Sequence, residues 1–242
     1  MLTLIISAAA GIAVAALVVV LTGLEVMYAP LIGTVVFAVV FFIMMRIFMK
    51  KVNTIVEGAQ KDMMANHPDK AIQKLLETQK KYGAWQFYLR KQMNSQIGTI
   101  YYLKKDFSKA FDFLTRGFVR HWVGTVMLAI IYMKRNQPDK MIKTFDNAVT
   151  GIRKEPLLWN VYAFCLEKIG EHEKAVKVME KGVKKCSGHE LLEVNLEALK
   201  AGKKMKMQAY GDIWYQFHLE KPGAILRKQT KMMQGRRKMV RR

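Results

Sequence analysis

The sequence predicts an all-α protein in which an N-terminal transmembrane helical hairpin is followed by an array of helix-turn-helix repeats. Two observations carry that prediction. Charge is partitioned: residues 1–49 hold only Glu25 and Arg46, while residues 50–242 hold the other 39 basic and 18 acidic side chains and so the whole net charge of +21. A six-residue pattern also recurs four times in the charged part. A mean hydropathy of +0.02 in so basic a chain is then the average of two unlike pieces. One is too apolar for a soluble surface, and the other is a basic domain of ordinary size.

From Leu2 to Leu24 no side chain is charged, and Val26 to Met45 is a second uncharged run. Each is about 20 residues, the length a helix needs to cross a hydrocarbon core of about 30 Å. In lipid a helix satisfies its own backbone groups. The short connection before Pro30 makes the two spans antiparallel. A secretory signal fits poorly, because there is no basic n-region and a second apolar run follows directly. One span with an in-plane second segment is the remaining alternative. The connection carries no Lys or Arg, whereas Arg46, Lys50 and Lys51 follow the second span. This bias puts the C-terminal part in the cytoplasm, and two spans return the N-terminus there too, as expected of a bacterial-type inner-membrane protein. Ser7, Gly11 and Ala15 lie four apart on one helix face, where a partner helix approaches closely; Gly33 of the second span is the expected contact.

The recurring hexapeptides are NHPDKA ending at Ala71, KDFSKA at Ala110, NQPDKM at Met141 and GEHEKA at Ala175, spaced 39, 31 and 34 residues apart. Each reads as a turn followed by a helix start. Upstream helices align as Asn94, Ile97, Gly98 and Tyr101; Thr125, Leu128, Ala129 and Tyr132; Trp159, Tyr162, Ala163 and Leu166. Downstream helices supply Ala110 and Leu114, Met141 and Phe145, Ala175 and Met179, then the small residues Gly117, Ala148 and Gly182. This resembles the tetratricopeptide repeat, W-x2-L-G-x2-Y then A-x3-F then a small residue. The resemblance covers about residues 52–220 and implies an α-solenoid, whose helix pairs bury their apolar faces only by stacking. A repeat at roughly 52–83 is degenerate, its first helix running on from the second span. A last helix pair is expected at roughly 188–219. The uneven spacings imply altered turns around Tyr82–Trp85 and Arg120–Trp122. A non-repeat helical bundle is the alternative fold. Domain boundaries follow: 1–49 for the hairpin, 50–220 for the repeats and 221–242 for a basic tail.

Catalytic patterns are missing from the sequence: no GxxxxGK[ST], GxGxxG, HExxH or GxSxG. Cys165 and Cys186 are too few for a disulfide scaffold and sit in no zinc-like cluster. The five histidines are scattered. No catalytic, cofactor-binding or metal-ligating residue is expected, and no enzyme.

Two surfaces are candidates for function. The resemblance implies a concave groove lined by the first helices of each pair: Gln92, Ser95, Thr99 and Tyr102; Val126, Ile130 and Met133; Asn160, Phe164 and Glu167. Ser95 and Thr99 stand where a chaperone-tail clamp wants Lys and Asn, so that class of partner is disfavoured. The groove is either open to a protein partner or filled by the chain's own last helices. The second surface is the tail, with Arg227, Lys228, Lys231, Arg236, Arg237, Lys238, Arg241 and Arg242 beside Lys221 and no acidic residue. Anionic lipid and RNA would both attract it, and a merely solvated tail is the third reading. Residues 50–220 alone carry +12, so the repeats are basic as well. The aromatic segment Tyr210–Pro222 reads as a cap on the array in preference to an exposed docking site. The functional expectation is a membrane-anchored cytoplasmic scaffold or adaptor that recruits protein partners, plausibly a subunit of a larger membrane complex. The alternative is a tether to ribosomes, nucleic acid or anionic lipid.

Overall fold

The computed structural model describes residues 2–22, 26–86 and 88–220, and among them every regular element is helical. Helix α1 (Leu2–Thr22), a 3-10 turn at Val26–Tyr28 and helix α2 (Ala29–Met64) open the chain. Pro30 lies in the first turn of α2, where its missing N–H has no helical partner to lose. α1 and α2 pack on each other. Ser7, Gly11 and Ala15 form the buried row on α1. A Cβ added at Gly11 would lie 2.7 Å from the Gly33 carbonyl oxygen, so the expected small-residue crossing is present. The opposite faces expose Ile12, Leu17, Val20 and Phe42. Both helices are long and apolar enough to cross a membrane.

α2 does not end with its apolar run. Its 36 residues continue past Arg46 to Met64, a length of about 54 Å at 1.5 Å per residue. The second half turns Phe48, Val52 and Ala59 into a core with Ala71, Ile72 and Leu75 of α3 (Pro68–Tyr82) and Leu89, Met93 and Ile97 of α4 (Leu89–Leu103). Intervals of four and seven residues put the α2 and α4 sets each on one face, and Ala71, Ile72 and Leu75 lie together on one face of α3. The degenerate first repeat is therefore real, and half of it is the continuation of the long apolar helix.

The chain forms two compact units. The first runs to Lys104 and includes Asp112–Phe118; the second takes Lys105–Phe111 and the chain from Val119 on. Helix α5 (Phe107–Thr115) is divided between them. At nine residues it is short, which accounts for the 31-residue spacing. In the first unit, a Cβ at Gly98 would lie 2.7 Å from Leu114 Cγ, and Tyr101 stacks on Phe113 at 5.6 Å.

The second unit continues with α6 (Trp122–Lys134), α7 (Pro138–Gly151), α8 (Pro156–Lys168), α9 (His172–Lys185) and α10 (Glu190–Lys200). α6 packs on α7 and α8 on α9, while α6, α8 and α10 adjoin one another in series. This is the tetratricopeptide-like arrangement of helix pairs. Met141, Phe145, Ala148, Ala163, Leu166 and Met179 are fully buried, and Phe145 stacks on Tyr162 at 4.7 Å. A Cβ at Gly182 would sit 2.9 Å from Trp159 Cβ, so the small position sits where α9 meets α8.

The hexapeptides acquire a physical meaning here. The first residue of each has positive φ: Asn66 at 60°, Lys105 at 65°, Asn136 at 55° and Gly170 at 84°. In three of the four, the next amide closes the turn onto the preceding helix: His67 to the Asp62 carbonyl at 2.8 Å, Gln137 to Tyr132 at 3.0 Å and Glu171 to Leu166 at 3.0 Å. This is the Schellman closure, and it favours Gly or Asn at the left-handed position.

The expected last helix pair at 188–219 is corrected. α10 is a full helix, but it is followed by a 3-10 turn at Met207–Tyr210 and the five-residue α11 (Asp212–Gln216). Gly202 and Gly211, both at φ 63°, break the helical path.

Lys105 holds the left-handed position with a Cβ that disfavours it. Lys105→Gly is expected to stabilise the chain by up to about 1 kcal/mol, partly offset by the greater freedom of glycine in the unfolded chain. That corresponds to a rise in Tm of about 2–4 °C, read by circular dichroism of the detergent-solubilised protein. Asn136→Ala is expected to move Tm the other way.

Candidate functional site

The predicted groove residues lie on the first helices α4, α6 and α8, as their spacing requires. On α4, Ser95 and Tyr102 are buried, while Gln92 and Thr99 are half-buried. Ser95 Oγ accepts the Phe118 backbone N–H at 2.7 Å. A Cβ at Gly117 would come within 2.6 Å of that oxygen. Ser95 thus anchors the turn that follows α5. Asn94 donates to the Arg116 carbonyl at 3.2 Å beside it, and Phe118 packs on Tyr88 at 5.4 Å.

In the second unit Val126, Ile130 and Asn160 are fully buried, and Met133, Phe164 and Glu167 keep part of their surface. The chain's own residues 206–219 cover this face. Phe164 meets Trp214 edge-on at 4.8 Å, and Trp122 packs on Phe217 at 6.4 Å. Trp214 and Phe217 are both fully buried. Trp214 Nε1 donates to Glu220 at 3.0 Å. Phe107 meets His218 edge-on at 6.3 Å, with Lys134 4.3 Å above the Phe107 ring.

A polar relay crosses the apolar contact. Asn160 Nδ2 donates to the Pro156 carbonyl at 3.0 Å and to the Tyr210 hydroxyl at 2.7 Å. Asn195 Nδ2 donates to Asn160 Oδ1 at 2.7 Å, and the Lys206 backbone N–H donates to Asn195 Oδ1 at 2.6 Å. Both asparagines are fully buried. Buried amides are stable only when bonded, so the relay fixes the register of the 206–210 segment on α8 and α10. Burial pushes the Tyr210 phenol up, so it stays protonated. Sequence reading missed Asn195 and Lys206, and it placed Tyr210 in the cap without its hydrogen bond to Asn160. One signal was available: Asn195 shares its helical face with Leu192, Leu196 and Leu199, where a polar residue needs a buried partner.

A cleft of about 420 Å³ remains beside this segment, lined by Phe164, Glu167, Leu199, Lys203, Lys204 and Glu220 among others. Glu167 pairs with His172 at 2.6 Å at its edge. Among the described residues, His, Cys, Asp and Glu side chains gather in no group of three or more. Cys165 is fully buried, and burial pushes its thiol up, away from the thiolate that reacts. The tail residues Arg227, Lys228, Lys231, Arg236, Arg237, Lys238, Arg241 and Arg242 lie outside the described residues.

No protein-family model matches the chain, and no curated protein matches it. Among solved structures, the crystal structure of MamA is similar at 19% sequence identity, over 55% of this chain and 77% of that one, with a TM-score of 0.44. The pairing of the helices and the geometry of their turns define the fold independently of that likeness.

Asn160→Ala and Asn195→Ala each leave a buried amide without its partner and are expected to cost about 1–3 kcal/mol. The double variant is expected to cost well under their sum, with a coupling of about 0.5–3 kcal/mol. Urea unfolding of the detergent-solubilised chain followed by tryptophan fluorescence measures it; additive losses would show that the two side chains act separately.

Proposed function

We propose that the protein is a scaffold that organises protein partners at the cytoplasmic face of a bacterial-type inner membrane, with the hairpin 1–49 as anchor and the helix pairs of 50–220 as the displayed part. The observation that carries this reading is α2, one helix that is apolar in its first half and part of the repeat core in its second. A break between anchor and repeats would let the array swing on a linker. A helix without one holds the first repeat at a set height and angle to the lipid. The Lys and Arg residues after the second span support a cytoplasmic array and cytoplasmic termini. The groove positions that keep exposed surface, Gln92 and Thr99 in one unit and Met133 and Glu167 in the other, are the proposed partner contacts. A charge directed at Tyr102 or Ile130 would test folding instead, since both are fully buried.

A second reading, a tether to ribosomes or nucleic acid, is favoured by the +12 on residues 50–220 and the +9 beyond them. Counterion release makes such binding strongly salt-dependent.

Alkaline carbonate is expected to leave the full chain in the membrane fraction, and protease is expected to cut the array in inverted vesicles but not in intact spheroplasts. A photo-crosslinker placed at Thr99 or Met133 is expected to give discrete protein adducts in cells, lost when residues 1–49 are replaced by a soluble leader; absence of adducts at both positions sinks the scaffold reading. Co-sedimentation with ribosomes that falls with salt and with deletion of 221–242 would favour the tether.

A further inference from the structure

The turn between α3 and α4 is tied to the start of α1. The Leu2 backbone N–H donates to the Ala84 carbonyl at 3.3 Å, and Thr3 Oγ1 donates to the Trp85 carbonyl at 3.1 Å. On the other side the turn meets α2. Gln86 donates to the sulfur of Met45, Phe48 stacks on Trp85 at 6.2 Å, and Phe48 meets Tyr82 edge-on at 5.8 Å. Leu2 opens the first apolar run and Met45 closes the second. A turn fastened to both therefore sits at the depth where hydrocarbon gives way to head groups. Tyr82, Trp85 and the exposed Tyr88 are the residue types that settle there, with an apolar ring body and a polar edge.

The charges around this turn are of one sign. Arg46, Lys50 and Lys51 leave the span on α2; Lys80 and Lys81 end α3; Arg90 begins α4. All six are exposed. A Cβ at Gly83 would meet the Arg90 side chain at 2.8 Å, and Lys81 Nζ lies 5.5 Å over the Tyr82 ring. These two cations are thus held at the turn itself. No acidic residue occurs in 26–56 or in 78–105. None of the six pairs with a carboxylate among the described residues. The far end of the same helices is different. There Lys74 and Lys70 pair with Asp62 at 2.5 and 3.9 Å, and Lys104 pairs with Asp69 at 2.5 Å. Lys74 holds the Asp62 carboxyl below its ordinary range. Within one unit, Lys70, Lys74 and Lys104 have internal counterions and the six cations around the turn have none among the described residues.

We infer that the α3–α4 turn and its flanking cations form a collar that binds the head groups of anionic phospholipids. The inference rests on the reading that residues 2–45 cross a bilayer. Such a surface supplies the missing negative charge at the right depth, and each basic residue near it adds about 1 kcal/mol of attraction, roughly fivefold in affinity. The collar is distinct from the basic tail: its cations are ordered by helix ends and aromatic rings, so their spacing is set before lipid arrives.

The test uses the full chain in mild detergent, with phosphatidylglycerol and phosphatidylcholine supplied in equal amounts and retained lipids counted by native mass spectrometry. The wild type is expected to hold phosphatidylglycerol in preference. Lys80→Gln/Lys81→Gln/Arg90→Gln is expected to reduce that preference at least about tenfold. Lys50→Gln/Lys51→Gln, measured separately, is expected to reduce it in part. The charge-keeping Lys80→Arg/Lys81→Arg/Arg90→Lys is expected to retain it, and so is deletion of 221–242. An unchanged preference in both glutamine variants, or its loss on deleting the tail alone, overturns the collar. Carbonate extraction separates the two readings. A chain that washes off the membrane defeats the anchoring itself; a chain that stays in it without a lipid preference defeats only the collar.

Discussion

The backbone hydrogen-bond ladder of α2 is the constraint on which the first unit depends. A helix that simply continues from an apolar run into a charged one needs no new partners for its amides. From Ala29 to Met64 only Gly33 and Gly58 interrupt the run of side-chain-bearing residues after Pro30, and neither breaks the ladder. α1 is positioned by where it crosses the first half, at Gly11 and Gly33. α3 and α4 are positioned by Phe48, Val52 and Ala59 on the second half. The face that meets α1 and the face that meets α3 lie on one rigid rod. Their relative rotation is therefore set by the number of residues between them, with no loop to adjust it.

Much of this was legible in the sequence, and for identifiable reasons. Apolar runs free of charge reveal the two long N-terminal helices. The Asn or Gly that opens three of the hexapeptides reveals a left-handed turn, and Lys105 hides the fourth. The small residues Gly98 and Gly182 were placed correctly because close helix approach excludes side-chain atoms whatever surrounds it. The groove was harder. Periodicity tells which face a residue occupies and not what lies against that face. Val126 and Ile130 were assigned to a lining by position and are fully buried, while Trp122, Asn160 and Phe164 of the same helices meet the returning residues 206–219. That return depends on contacts across 35 to 50 residues, between Asn160 and Asn195 or Tyr210, which no local pattern encodes. The shortened second half of the last pair was equally hidden, since Met207, Trp214 and Phe217 keep apolar spacing without forming one helix.

The covered face of the second unit is closed from within. Trp214 and Phe217 lie buried against it, and the asparagine relay selects their register. An apolar plug alone could slide; amides that must be bonded cannot. Of the groove positions on these helices, Met133, Phe164 and Glu167 stay partly exposed.

The ties from Leu2 and Thr3 to Ala84 and Trp85 have a consequence for biosynthesis. The two ends of each tie are more than 80 residues apart, and the hairpin is made first. α1 and α2 are both complete before the α3–α4 turn has been synthesised. Through that interval the start of α1 lacks its acceptors. The ties close only when α3 has folded back along α2, so the start of α1 is fixed last, by the docking of a repeat made after it.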